Sequence, residues 1–506
     1  MLAKPQCHHL YSHCYLMSLS SVSELKQDPP LCIDLDGTLI KTDLLWESLA
    51  QFLKNNLAGG LMVPIWLLRG RAYLKAQLAN RVQLDAAALP YNASFINFLR
   101  KEKERGRRLI LVTAADALLA RGIAEHLGLF DEVLASDGKL NLSGRRKGAM
   151  LASRFGERGF DYAGNSRVDL AVWQQARQAF VVNATAGLAA QASRVAETGG
   201  VFEPRKSRVR GLVRALRPHQ WIKNLIIFVP LLTSHQLTDP ARALEAMLAF
   251  VAFSLCASGV YVLNDLFDLE SDRHHATKRA RPFASGDLPL VYGLLAAPVL
   301  LFSSVIVASG LGWRFCAVLA VYFVATTAYS LRLKSLPLVD VFVLAGLYTV
   351  RLIAGHEAAR IVYSFWLLVF SMFIFLSLAL VKRFVELSLA RQRSKAEIKG
   401  RGYTAGDLEL VAMLGVTSGY LSALVLALYV NSQALYVNSQ EVRILYQHPY
   451  VLLLICPLLL YWISRVWLLA HRGQMHDDPI IFALKDPVSY VVAGLSLLVL
   501  WLAAGH

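Results

Sequence analysis

From about residue 220 to its end, the chain falls into one apolar run after another, each roughly 20 residues long. Coiled as a helix, such a run is about 30 Å long, the thickness of the hydrocarbon core of a bilayer. Nine can be marked, at about 221–236, 243–263, 290–309, 312–330, 337–355, 362–381, 409–430, 449–470 and 488–504. Helices buried in a soluble core are the alternative, but the segments between the runs offer too little polar surface to cover nine of them. The hydrophobic share of 55% points the same way. Residues 31–200 carry charge at ordinary globular density, so the composition changes near Glu203–Arg210.

The expected organisation is a disordered tail over 1–28, an α/β domain over 29–200, a basic linker over 201–216 and an all-α membrane domain of nine transmembrane helices over 217–506. Cys7, His8, His9, His13 and Cys14 have metal-ligand side chains, yet they precede any domain and Met17 offers a later start, so they read as tail. The six cysteines are scattered and suggest no disulfide framework. The first residues lack a continuous apolar core and a clear cleavage site, which argues against a signal peptide.

A net charge of +16 could mean nucleic acid. In a membrane chain, however, basic residues crowd the cytoplasmic loops and fix topology, so no nucleic-acid partner is expected. Lys and Arg before the first run and after each even-numbered run number twenty-three, against four on the other side. That imbalance predicts an integral protein of the cytoplasmic membrane, with its N-terminal domain in the cytoplasm and its C-terminus outside.

The chemistry concentrates where the second run ends, in Asn264-Asp265-Leu266-Phe267-Asp268-Leu269-Glu270-Ser271-Asp272. On a helix Asp265, Asp268 and Asp272 stand at i, i+3 and i+7 and project from one face, with Asn264 beside them. Like charges on one stripe repel, and a hard cation such as Mg2+, shared with substrate phosphates, would neutralise them. The basic run Lys278-Arg279-Ala280-Arg281-Pro282 follows; it can anchor the chain on the cytoplasmic side, and Arg279 and Arg281 can also fork onto phosphate oxygens. A further segment joins Tyr329 and Lys334 to Asp340 and Arg351. The last two share a helix face about 16 Å apart. A charge inside an apolar run lines a cavity or pairs internally, which makes Arg351 a pocket residue or the partner of Glu357.

With these residues in view, positions 217–487 resemble the UbiA superfamily of intramembrane prenyltransferases, whose hallmark N-D-x-x-D-x-x-x-D stands here as Asn264 to Asp272. The resemblance implies nine transmembrane helices around a cavity open to lipid. Arg217-Pro218-His219-Gln220-Trp221-Ile222-Lys223-Asn224, the Lys278–Pro282 run, Tyr329–Lys334, Lys382-Arg383 with Glu386, and Asp477-Asp478-Pro479 are similar to the decaprenyl-phosphate phosphoribosyltransferase branch. One departure concerns the second D-x-x-x-D motif of quinone-type members, where Asp340 is followed by Leu344 and only one carboxylate remains.

In the N-terminal domain the apolar strand Leu31-Cys32-Ile33 runs into Asp34-Leu35-Asp36-Gly37-Thr38. Two aspartates one residue apart at a strand end can divide the work of nucleophile and general acid-base. This arrangement resembles the haloacid dehalogenase superfamily, a doubly wound α/β fold; residues 44–105 read as a small helical cap. By that resemblance Thr113 holds the phosphoryl group and Lys147 screens its charge. Magnesium falls to Asp34, Asp36, Asn165 and Asp169, although Asn165 replaces the usual first aspartate of its loop.

The leading expectation is a membrane transferase that moves 5-phosphoribose from phosphoribosyl diphosphate to a polyprenyl phosphate, with Asp265, Asp268 and Asp272 holding Mg2+ on the departing diphosphate. Lys223, Asn224, Asn264, Arg279, Arg281, Tyr329, Lys334, Asp340 and Arg351 are the substrate-binding candidates. The fused phosphatase would then act on the product. Prenyl transfer from a polyprenyl diphosphate to an aromatic acceptor is the alternative, and a lipid-binding scaffold with vestigial sites is a third.

Overall fold

Parallel strands buried on both faces read as continuous apolar runs, and Leu31–Ile33 (β1) lies fully buried at the middle of a sheet. The computed structural model describes residues 28–56, 58–137, 141–204, 206–392, 402–435, 446, 448–475 and 478–504. The other strands are Leu109–Asp116 (β2), Glu132–Ser136 (β3), Asp161–Gly164 (β4), Gln178–Val182 (β5) and Glu197–Phe202 (β6). All six pair in parallel, in the order β3-β2-β1-β4-β5-β6. Side chains alternate between two cores, as a period of two requires. Leu31, Ile33, Leu109, Leu111, Phe180 and Val182 enter one, and Cys32, Ile110, Val112, Tyr162 and Val181 enter the other. The strand order reverses direction at the β1/β4 boundary, so the loops leaving the carboxyl ends of these strands open a crevice there. This is the expected doubly wound α/β fold.

The second unit is helical. Among the described residues eight helices are long and apolar enough to cross a membrane: Pro240–Phe267, Leu290–Ser309, Trp313–Leu331, Val339–Ala358, Phe365–Gln392, Ala405–Val430, Tyr450–His471 and Pro487–Ala504. The run expected as the first of nine, 221–236, is not one of them. It forms an eleven-residue 3-10 helix, Pro218–Phe228, followed by the five-residue helix Val229–Thr233. Pro230 has no N–H to give to a helical ladder, and Lys223, Asn224, Ser234 and His235 break the apolar run. Side-chain bonds hold the 3-10 segment to the first long helix instead. Trp221 Nε1 donates to Ser258 Oγ at 2.9 Å and Asn224 Nδ2 to Ser254 Oγ at 2.9 Å.

Two expected boundaries move. Residues Trp46–Gly60, assigned to the cap, cluster with the helical unit. Trp46 and Ala50 pack with Val262, Leu266, Phe283 and Leu288 there, and Glu47 is paired with Arg273 at 2.5 Å. The stretch 201–216, read as a linker, contributes the end of β6 and the helix Arg208–Leu216, whose Gly211 and Ala215 are buried.

Candidate functional sites

The carboxyl ends of strands β1, β2 and β4 carry the first candidate site. Asp34 follows β1, Thr113 lies in β2, and Asn165 and Asp169 follow β4. Lys147 Nζ donates to Asp34 Oδ1 at 2.7 Å and to Tyr162 Oη at 3.0 Å; the Tyr162 hydroxyl donates in turn to Asp169 Oδ1 at 3.0 Å. Asp169 Oδ2 accepts from Asn165 N, Ser166 N and Ser166 Oγ at 2.8–3.1 Å. Asp169 is thereby a scaffold that sets the loop. Glycine is required in two places: a Cβ at Gly164 would meet Asp169 Cγ at 2.8 Å, and one at Gly37, where φ is +75°, would meet Asn165 Nδ2 at 1.9 Å.

Burial pushes Asp34 up to about 6, and the Asp169 carboxylate adds to the rise against the pull of Lys147. Asp36 is also held well above the usual carboxylate range, by burial first and then by Asp43. Its Oδ1 accepts the Leu44 backbone N–H at 2.9 Å. A carboxyl kept protonated beside an ionisable nucleophile can donate a proton to a leaving group. Thr113 is fully buried and its Oγ1 accepts from Ala115 N at 3.0 Å. The sequence-chosen residues therefore come together; Tyr162 and Ser166 are additions with no motif of their own.

In the helical unit the spanning helix Pro240–Phe267 ends in the acidic motif and a second helix, Leu269–His274, carries it on. Asp265 and Asp272 are both buried. Arg281 Nη1 reaches Asp265 Oδ1 at 3.1 Å and Asp272 Oδ2 at 2.6 Å, so one guanidinium holds two carboxylates. Arg217 reaches Asp265 Oδ1 at 2.5 Å. It stands at φ 51°, the left-handed turn that separates helix Arg208–Leu216 from the 3-10 segment and aims its side chain at the motif. Asp265 Oδ2 is buried with no hydrogen-bond partner among the described residues. Asp268 is the most open of the three, with Lys334 at 3.6 Å, and Asn264 donates to Ser330 Oγ at 2.7 Å. Burial holds the Asp272 carboxyl above its ordinary range, against the pull of Arg281. Clustered carboxylates with an unpartnered buried oxygen fit a divalent cation, which would take the charge that Arg281 now shares.

The other candidates divide. Lys223 Nζ meets Asp478 Oδ2 at 2.8 Å and Lys382 meets the same oxygen at 3.2 Å, beside a cavity of about 40 Å3 that Tyr348 also lines. Burial alone would raise Asp478, but Lys382 and Lys223 bring it down to about 2. Arg351 spends its fork on Asn224 Oδ1 at 2.8 Å and Tyr322 Oη at 3.0 Å, while Glu357 accepts from Tyr363. Asp340 is fully buried against Arg383, and Tyr403 donates to it at 2.7 Å, so it serves an internal ion pair. Tyr329 is half-buried near the end of helix Trp313–Leu331, and Arg279 is exposed on the turn Lys278–Ala280. Arg217, Asp478, Lys382 and Arg383 are additions to the candidates that the sequence offers. Asp477 lies outside the described residues.

Residues 225–484 match the UbiA prenyltransferase family, and residues 31–172 match the haloacid dehalogenase-like hydrolases. The protein y4nM of Sinorhizobium fredii is 39% identical over 469 residues, 92% of this chain and 89% of its own. A decaprenyl-phosphate phosphoribosyltransferase of Mycobacterium tuberculosis is 38% identical over 223 residues, which are 43% of this chain and 74% of that one. Among solved structures, a UbiA homolog from Archaeoglobus fulgidus bound to GPP and Mg2+ shares 15% identity at a TM-score of 0.44, covering 58% of this chain and 100% of that chain.

Proposed function

The chain belongs to the UbiA prenyltransferase family, with a haloacid dehalogenase-like domain ahead of the membrane domain, and from that we propose a bifunctional enzyme that moves 5-phosphoribose from phosphoribosyl diphosphate to a polyprenyl phosphate and then removes the 5-phosphate. The observation that carries the transfer reading is the cationic setting of the carboxylates. Arg217, Arg281 and Lys334 all stand within ion-pair reach of the motif, whereas Asp340, the remnant of a second acidic motif, is consumed by Arg383. Two phosphate-bearing substrates need such cations. A donor whose charge sits only in its diphosphate needs a second acidic site more. The likeness to decaprenyl-phosphate phosphoribosyltransferases supports the same choice.

In this reading Asp265, Asp268 and Asp272 would hold magnesium, which would supply the charge that neutralises the leaving diphosphate. Arg281 and Lys334 bind donor phosphates, Arg217 keeps Asp265 oriented, and Lys223 with Lys382 offers a site for the lipid phosphate. In the other domain Asp34 attacks the 5-phosphate phosphorus while Asp36 gives its proton to the departing ribose oxygen. Water then cleaves the aspartyl phosphate, with Asp36 taking the proton back. Lys147 fixes the Asp34 oxygen that does not attack. Asn165, Asp34 and the Asp36 carbonyl would be the magnesium ligands there.

The test is pyrophosphate release by the purified protein in lipid. Release should require phosphoribosyl diphosphate, polyprenyl phosphate and Mg2+ together, and should stop on chelation. Release with a polyprenyl diphosphate and an aromatic acceptor, and not with the first pair, would move the protein to the prenyl-transfer reading. Charge counting supports a cytoplasmic N-terminal domain and an external C-terminus, which requires Pro218–Thr233 to cross as a broken segment in addition to the eight long helices. A reporter fused after His506 should be active outside the cytoplasm; activity inside would show that 221–236 does not cross.

A further inference from the structure

A strip of large apolar side chains stands in solvent on the phosphatase unit, and neither proposed reaction uses it. Residues Ala58–Leu61 form a 3-10 turn that runs directly into the helix Met62–Leu68. Leu61 is 80% exposed, Ile65 48%, Leu67 51% and Leu68 88%, and of the helix only Trp66 is buried. Single exposed leucines are ordinary, but a contiguous patch of this kind marks a contact surface.

Charge says what the surface meets. Between Glu47 and Asp85 the sequence contains no acidic residue, and it contains Lys54, Arg69, Arg71, Lys75 and Arg81. Arg69 and Arg71 are exposed immediately after the patch, with Arg69 Nη1 donating to Tyr73 Oη at 3.2 Å; the Arg81 guanidinium lies 4.9 Å over the Trp66 ring. An apolar strip rimmed by cations is built for the interface of an anionic bilayer, where the strip enters the acyl region and the cations meet headgroup phosphates. The segment before Leu61, Trp46–Gly60, packs in the helical unit, where Trp46 and Ala50 lie against Val262 and Leu266 near the end of a spanning helix. On the far side of the patch Lys75 Nζ donates to Ala114 O at 2.7 Å, next to Thr113, which ties the following helix to strand β2.

We propose that Leu61–Leu68 lies in the surface of an anionic bilayer and that the phosphatase so anchored takes phosphate monoesters carried on lipids. The choice of substrate rests on the phosphatase reading above; the anchoring does not. The test uses the full chain in nanodiscs with Cys7, Cys14, Cys316 and Cys456 changed to serine and an environment-sensitive fluorophore placed through Leu68→Cys. Lipids brominated in their acyl chains should quench this probe about twofold or more, and more strongly in anionic than in zwitterionic discs. A control probe at Glu125→Cys, exposed on the helix Ala117–Leu127, should be unaffected. Equal quenching at the two positions overturns the anchoring. So does shielding of Leu68 from aqueous quencher without lipid quenching, since another copy of the chain would then cover the strip. In a second arm, replacing Leu61, Ile65 and Leu68 by serine should leave hydrolysis of para-nitrophenyl phosphate unchanged and slow hydrolysis of a lipid-linked phosphate about tenfold. Lipid quenching in the parent without that loss would keep the anchor and reject the lipid-linked substrate.

Discussion

Asp268→Ala is expected to lower lipid transfer about a thousandfold, the size seen when one preorganised electrostatic partner of a developing charge is removed, while the protein folds and inserts as before. The choice among the three carboxylates follows from their surroundings. Asp265 is buried between Arg217 and Arg281, and its removal would take away the carboxylate that Arg217 pairs with, at a cost of up to about 3–5 kcal/mol. Among the described residues Asp268 pairs with Lys334 at 3.6 Å, and it is more than a third exposed, so its ion pair contributes about 0–1 kcal/mol. Loss of function there reports chemistry and not folding. A variant that keeps parental activity with an unchanged requirement for Mg2+ would remove the acidic motif from the mechanism.

The second large effect is expected of Asp34→Asn, which should lower phosphomonoester hydrolysis by at least about a thousandfold, since removing a nucleophile disables the residues that act with it. The amide keeps the shape of the side chain and the company of Lys147 and loses the attacking charge. In the parent the same activity should depend on pH in a defined direction. Asp34 is raised from the ordinary carboxylate value to about 6, so its ionised form, the one that attacks, is present above that pH and is lost as pH falls through it. Hydrolysis that stays flat from pH 7 down to about 4, the ordinary carboxylate range, would mean that Asp34 does not titrate at this raised value in the working site.

Local pattern made part of this legible. Leu31-Cys32-Ile33 ends in Asp34 because a buried parallel strand must hand its last residue to a loop, and Lys147 pairs with that aspartate at 2.7 Å. The acidic motif announced itself by spacing alone. The misses came from pairings that no local period encodes. Lys223 finds Asp478 across 255 positions, and Glu47 finds Arg273 across 226, which draws the first helix of the expected cap into the helical unit. Arg217 reaches Asp265 only because a left-handed residue turns the chain there, and the conformation of a single arginine is invisible in hydropathy. Residues 221–236 have the apolar content of a span, but Pro230 and the polar bonds of Trp221 and Asn224 hold them in a 3-10 segment and a short helix.

What the membrane domain transfers is read most directly from the Asp34→Asn protein, because with the phosphatase silenced the first product is preserved. The protein would be given phosphoribosyl diphosphate, a polyprenyl diphosphate, polyprenyl phosphate and an aromatic acceptor together with Mg2+, and the extracted lipids weighed by mass spectrometry. Phosphoribosyl transfer by the membrane domain predicts polyprenyl phosphate carrying one phosphoribosyl group from the variant and one ribosyl group from the parent. A prenylated aromatic acceptor as the main product, with polyprenyl phosphate unchanged, would contradict it.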